Sequence, residues 1–318
     1  MNQRPRTALV LGATGGVGGE TAKALVASGW TVKALTRHAG APGGDSIQWL
    51  RGDAMVAADV RRAAEGAQVI VHAVNPPGYK GWEQVVLPMV DNAIDAAREV
   101  DARILLPGSV YNYGTDVYPL IAEDAAQHPP SRKGEIRVDV EARLQRAAGD
   151  GVRSLVLRCG DFYGPHGRSN WLAQGIVKPD TPLRVIRYPG PPRLRHAWAY
   201  LPDVAATFVA LLEREAQLDT FARFHFPGHA LTGDELAAIV RRVSGQPSLP
   251  MRGFPWWMVN LAAPFVETMR EVRKMRYLWN EEVLMDGARL RAFLPDLRET
   301  PPEVAMKATL AALGVVRA

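Results

Sequence analysis

Residues Ala8 to Leu11 form an uninterrupted apolar run, and the chain then turns at once to small residues, Gly-Ala-Thr-Gly-Gly-Val-Gly-Gly at 12–19. An amphipathic stretch from about Gly16 to Ser28 predicts a helix, and Thr31 to Thr36 predicts a second strand. The same alternation continues. Ile47 to Arg51, Val69 to Ala73, Arg103 to Pro107 and Arg153 to Arg158 read as further strands, with helical spacing at about 59–66, 82–99 and 135–148 between them. Short β-rich runs separated by helices predict an α/β fold with a parallel sheet covered on both faces. Right-handed crossovers make that sheet doubly wound and place ligands at the carboxyl ends of its strands.

After Tyr163 the rhythm changes. Prolines and glycines crowd 164–198, a helix is expected at 203–215 and a strand at Phe221 to Phe226, and helical spacing returns at 232–245, 258–285 and 301–313. Residues 1–163, with 196–226 returning to them, are therefore expected to form one sheet domain. Residues 164–195 and 227–318 are expected to form most of a smaller C-terminal substrate lobe.

The chain has 318 residues, 47% apolar and 22% charged, so it can bury a large core and is not broadly disordered. Its net charge of +5 is dispersed, without a lysine/arginine run of five, which argues against nucleic acid as a partner. A single cysteine, Cys159, excludes an intramolecular disulfide and a cysteine-based metal cluster. His72, His166 and His196 are too dispersed to suggest a metal site, so no metal is expected. The apolar run near the N-terminus is cut short by the glycine turn, so it reads as a strand and not as a signal peptide. No run is long enough for a spanning helix. Together these features suit a reducing cytoplasm.

The glycine turn carries the most specific chemistry. Gly12 permits the tight turn, Gly15 lets the backbone approach a pyrophosphate, and Gly18 lets the helix pack on its strand. Thr14, Gly16 and Val17 complete this loop, and the helix start offers unpaired N–H groups to phosphates. A dinucleotide-binding, Rossmann-type unit is the implied result. The second strand ends Leu35-Thr36-Arg37 without a carboxylate, and Arg37 lies where a 2′-phosphate would meet paired guanidinium donors. That favours NADP over NAD.

The chain resembles the extended and atypical short-chain dehydrogenase/reductase superfamily, in its NAD(P)-dependent epimerase/dehydratase-like branch. The segments that carry the likeness, besides the glycine turn, are Pro107-Gly-Ser-Val-Tyr-Asn-Tyr-Gly114, Arg158-Cys-Gly-Asp-Phe-Tyr-Gly-Pro165 and His196-Ala-Trp-Ala-Tyr-Leu-Pro-Asp-Val-Ala205. The resemblance implies that Asp53 contacts adenine, that Ala54, Ala73, Val74 and Asn75 line the cofactor, and that Gly160 and Asp161 lie near its nicotinamide end. It also implies that Ser109 holds the substrate oxygen. Asp53 has an alternative role as a turn cap, and Ser109 as a hydroxyl that bonds local backbone.

The superfamily's tyrosine-x-x-x-lysine pair is absent. Counting back from Glu141 places Arg137 at the lysine position and Lys133 at the tyrosine position, and no tyrosine lies between Tyr118 and Tyr163. On one reading Arg137 contacts the nicotinamide ribose while Lys133, its pKa lowered by burial and a neighbouring cation, exchanges the proton. On the other, Arg137–Glu141 and Asp139–Arg143 are i,i+4 ion pairs on an exposed face. Tyr111 is a further candidate for the acid. The leading expectation is an NADP(H)-linked hydride transfer at a carbonyl or hydroxyl carbon of a small-molecule substrate. The alternative is a non-catalytic, NADP(H)-responsive regulatory or binding protein.

Residues 251–279 hold three tryptophans, two phenylalanines and a tyrosine, suited to a lobe core, an apolar pocket wall or a homodimer face. The flanking Arg270, Arg273, Lys274 and Arg276 also permit contact with an anionic surface.

Overall fold

Seven parallel strands organise the computed structural model, which describes residues 6–37, 46–76 and 81–316. They are β1 Thr7–Leu11, β2 Thr31–Thr36, β3 Ile47–Arg51, β4 Val69–His72, β5 Arg103–Ser109, β6 Ser154–Cys159 and β7 Phe221–Phe226. Their order in space is β3-β2-β1-β4-β5-β6-β7, so the winding reverses between β1 and β4. In an open parallel sheet that reversal leaves a crevice at the strand ends.

Side-chain alternation decides what each face of the sheet buries. Ala8 and Val10 of β1 point to one side, into a core with Ala22 and Leu25 of helix α1 (Gly16–Ala27). Leu9 and Leu11 point to the other side, into a core with Val60, Val86, Val90, Ile136, Val140 and Leu144. Those residues come from helices α2 (Ala57–Ala64), α3 (Trp82–Val100) and α4 (Arg132–Gly149). Helix α5 (Leu201–Leu212) joins α1 on the first face through Val204 and Phe208. Helices thus cover both faces, as the near-continuous apolar strands require.

Strand β5 runs two residues further than the sequence pattern suggests, through Pro107 to Ser109. The proline costs nothing there: β4 pairs with β5 only as far as Val71 opposite Leu105, so beyond that point its missing N–H faces no partner strand.

A third apolar core lies beyond the carboxyl ends of the strands and includes Tyr163, Tyr188, Trp198, Leu236, Val240, Trp279 and Leu310. It is built on a three-stranded sheet of Asp161–Tyr163, Arg195–Tyr200 and His229–Thr232. Two short parallel pairs extend it, Ile186–Tyr188 with Met251–Gly253 and Leu120–Ile121 with Leu284–Met285. Helices α6 (Gly233–Ser244), α7 (Trp256–Ala262), α8 (Glu267–Lys274), α9 (Ala288–Phe293) and α10 (Pro302–Ala312) complete the described chain.

The single helix expected over 258–285 is instead α7, α8, a 3-10 turn at Met275–Trp279 and the strand Leu284–Met285. Pro264 separates the first two, because its ring removes a donor and crowds the carbonyl one turn earlier. None of the helices among the described residues is long and apolar enough to cross a membrane.

Candidate functional site

The glycine turn joins β1 to α1. Gly12 has a φ of +92°, and a Cβ there would lie 2.6 Å from the Ala73 carbonyl oxygen at the end of β4. A Cβ on Gly18 would lie 2.3 Å from the Gly12 carbonyl oxygen, so this glycine is what lets the helix pack against the turn. Gly15 differs: its nearest neighbour would be the Gly12 oxygen at 3.3 Å, and both Gly15 and Thr14 are exposed. Gly16 packs toward Leu201 and Gly167, and Val17 is half-buried with its carbonyl accepting from the Thr21 hydroxyl at 2.8 Å.

No side chain caps the start of α1 and no acidic residue stands in its first turn. By contrast α6 begins with a capping box of Thr232 and Glu235. The α1 start therefore keeps a partial positive charge and backbone donors facing an open, glycine-rich turn, the environment a phosphate group needs.

Arg37 is exposed directly after β2; His38 lies outside the described residues. The Asp53 carboxylate accepts from the Met55 N–H at 2.9 Å, so it caps the turn after β3 while remaining partly accessible. Ala54 is buried, and its carbonyl accepts from Asn92 at 2.9 Å. Ala73 and Val74 are half-buried after β4, and exposed Asn75 accepts from the Arg137 guanidinium at 2.9 Å.

A second group gathers at the ends of β4, β5 and β6. Ser109 ends β5, and its hydroxyl receives a long 3.4 Å contact from the Tyr111 N–H at the start of a 3-10 turn. Ser131 caps α4 by accepting from Gly134 at 3.2 Å, which places Lys133 and Arg137 one turn apart on the first part of that helix. Lys133 is buried, its Nζ 4.1 Å from the Tyr111 ring centre and 4.7 Å from that of Trp82. The Arg137 guanidinium also lies over Trp82, at 5.1 Å.

Burial, and secondarily the Arg137 charge, hold the Lys133 pKa well below the ordinary lysine value, while Asp161 opposes the shift. Asp161 follows β6, and burial pushes its carboxyl up to about 7 against the lowering influence of Lys133. His72, at the end of β4, is pushed down to about 4 by burial and by Arg137, so it is neutral near pH 7. The group thus joins a lysine with weakened proton affinity to a carboxyl with strengthened affinity.

Gly160 brings Asp161 into this position: a Cβ there would lie 2.0 Å from the Ala197 carbonyl oxygen, so only glycine allows the strands to cross so closely. Gly160 and Asp161 line a small cavity with Val110, His196, Ala197, Leu278 and Val283.

The exposed ion pairs anticipated on α4 do not form. Glu141 turns inward to fully buried Arg158, and Arg143 reaches Asp91 at 2.6 Å, while Arg137 bonds Asn75. Burial reverses the local pairing rule, because Arg158 inside an apolar strand requires a carboxylate wherever one can reach it. Arg158 also donates to the His225 Nε2 at 2.9 Å and to the Tyr113 hydroxyl, while the Asn112 amide donates to Glu141 at 3.0 Å. This network holds the middle of α4 against the ends of β5 and β6. Its sequence signal was an arginine within the otherwise apolar run Leu155–Cys159; Trp82 gave no such signal before α3 was placed.

The family model of the NAD dependent epimerase/dehydratase family matches residues 8–224. The chain belongs to the NAD-dependent epimerase/dehydratase family. Solved structures of similar fold include MoeE5 in complex with UDP-glucuronic acid and NAD, 16% identical, covering 96% of this chain and 98% of that one at a TM-score of 0.74. UDP-glucuronic acid 4-epimerase from Bacillus cereus, in complex with NAD, is also 16% identical, with 96% and 98% coverage and a TM-score of 0.74. UDP-glucose 4-epimerase with UDP-glucose from Thermotoga maritima is 14% identical, with 96% and 98% coverage and a TM-score of 0.73. At these identities the likeness establishes the fold. None of the curated proteins matches the chain significantly in sequence.

Within this epimerase/dehydratase fold, Lys133 and Arg137 stand on α4 with no tyrosine near them on that helix. Among the described residues, no three His, Cys, Asp or Glu side chains come together as a metal site.

Proposed function

We propose that this chain binds NADP(H) and catalyses proton-coupled hydride transfer at a carbonyl or hydroxyl carbon, with Lys133 in place of the usual tyrosine. The observation that carries this reading is the Lys133 amine, buried between the Tyr111 and Trp82 rings with its proton affinity weakened by burial and Arg137. The glycine-rich turn at Gly12–Gly15 and the uncapped α1 start fit a pyrophosphate. Exposed Arg37, where an acidic residue would serve NAD, supports the phosphorylated dinucleotide. The dinucleotide, when bound, supplies or accepts the hydride.

The protein's own groups handle the proton. In the oxidising direction the neutral Lys133 amine accepts the proton of a substrate hydroxyl, and in the reducing direction the protonated amine returns it. Ser109 donates to or accepts from the same substrate oxygen. Arg137 keeps Lys133 weakly basic and, through Asn75, fixes the loop after β4. Asp161 is a second titrating group beside Lys133, placed to exchange its proton or orient a substrate hydroxyl. The UDP-sugars held by structures of similar fold favour a nucleotide sugar as the substrate class. In this reading the region beyond the sheet's ligand edge, 164–195 and 227–318, supplies most of the substrate lobe.

The test compares wild type with Lys133→Met by following NADPH oxidation or NADP+ reduction across carbonyl compounds, alcohols and UDP-sugars. Turnover should vanish in the variant while NADPH affinity, read by fluorescence titration, stays unchanged. Equal turnover in the two proteins would refute Lys133 as the proton-exchanging group. Tight NADPH binding with no turnover in wild type for any substrate class would favour the regulatory alternative.

A further inference from the structure

Helix α7 is apolar except for exposed Asn260. Its inner face is covered, with Val259 and the following Ala263 at 4% and 1% exposure, yet Trp257, Leu261 and Phe265 stand 69%, 69% and 86% exposed. Met258 and Val266 widen the same exposed tip. Trp257, Leu261 and Phe265 are spaced four residues apart, so helical geometry brings the first two onto one face. The turn at Phe265, whose N–H reaches the Ala262 carbonyl at 3.0 Å, adds the third. A contiguous exposed apolar patch marks an interaction surface. The outward face of α7 implies a cover.

Charge around the tip indicates what that cover is. Arg270, Arg273 and Lys274 are exposed on α8, which packs beside α7, and Arg276 lies over the Trp256 ring at 5.3 Å. The strand leading into α7 places exposed Arg252 directly beside exposed Arg187 in parallel register. Lys274 is paired with Glu271 at 2.8 Å; among the described residues, the five arginines have no carboxylate partner. A two-fold contact through this face would bring like, unpaired cations of two copies together. An apolar tip with tryptophan and phenylalanine, flanked on α8 by Arg270 and Arg273 beyond the single exposed carboxylate Glu267, instead matches the boundary between acyl chains and anionic headgroups.

We propose that the α7–α8 hairpin seats this protein on an anionic lipid bilayer surface. Trp257, Leu261 and Phe265 enter the headgroup boundary, and the surrounding arginines engage lipid phosphates and carboxylates. The contact is interfacial, in keeping with the absence of any long apolar helix among the described residues.

Sedimentation with vesicles tests the proposal. The full chain should pellet with phosphatidylcholine vesicles containing phosphatidylglycerol, remain soluble with phosphatidylcholine alone, and be released by salt. The combined Trp257→Ser, Leu261→Ser and Phe265→Ser variant should stay soluble in both mixtures. Arg270→Gln with Arg273→Gln should weaken partitioning by on the order of tenfold. All these positions are exposed, and circular dichroism and NADPH titration matching wild type confirm that the variants remain folded. The proposal is overturned by failure of wild type to bind anionic vesicles, by equal binding to both mixtures, or by binding that survives the triple serine variant. Self-association of wild type, abolished by the triple variant and without vesicle binding, would assign the face to a second copy of the chain.

Discussion

The Lys133 Nζ lies 4.1 Å from the centre of the Tyr111 ring, so the amine proposed to exchange the proton is held against an aromatic side chain from the turn after β5. The ring face attracts the ammonium form, but burial and the Arg137 charge act against it and prevail.

That balance makes Lys133 a burden on stability. A pKa lowered in the folded state means that the unfolded chain takes up the proton first, so folding loses free energy as pH falls below the ordinary lysine value of 10.5. Lys133→Met should therefore be more stable than wild type at neutral pH, and the difference should close above pH 10.5. Urea denaturation across pH measures it. A neutral-pH loss of stability in the variant would contradict the assignment.

Asp161 shifts the opposite way, up to about 7. The folded state then binds the proton more tightly than the unfolded chain, so stability contributed at low pH declines between 3.8 and about 7. Asp161→Asn should gain stability above that range and lose any limb near pH 7 from the pH profile of kcat/KM. A profile identical to wild type would remove Asp161 from the proton path.

Glu141 neutralises a fully buried arginine. Removing one partner of such a pair leaves an uncompensated charge, at a cost of about 3–5 kcal/mol. Glu141→Ala should lose roughly that much in chemical denaturation, whereas Asp139→Ala, on the exposed side of the same helix, should change stability by less than about 0.5 kcal/mol.

Gly15, the residue that precedes α1, and Gly18, in its first turn, should respond differently to substitution. Gly15 is exposed and a Cβ there meets only the Gly12 oxygen, at 3.3 Å, so Gly15→Asp should fold with at most a small loss of stability yet lose NADPH binding through charge repulsion at the phosphate position. Gly18→Ala sets a methyl group 2.3 Å from the Gly12 oxygen and should lower thermal stability as well as affinity.

Arg37 is exposed at the end of β2 and tests the choice of dinucleotide. Hydrogen bonds to a charged group contribute about 1.5–3 kcal/mol, so Arg37→Asp should weaken NADPH binding by roughly tenfold or more while sparing or improving NADH. Equal loss for both dinucleotides would place the selectivity elsewhere.

Much of this architecture was written locally. Apolar runs such as Ala8 to Leu11, the glycines at 12, 15 and 18, and the helical spacing between strands determined the parallel sheet and its turn, because these features depend on neighbours within a few residues. Counting from Glu141 likewise singled out Lys133 and Arg137 on one helix. Tertiary structure decided what those side chains meet. Glu141 left Arg137 for Arg158, Trp82 at the start of α3 came to cover Lys133 on α4, and the expected helix over 258–285 divided into two helices, a 3-10 turn and a strand. Partners separated by long stretches of chain are chosen by burial, which satisfies each desolvated charge with whichever group the fold brings within reach, and no local period encodes that choice.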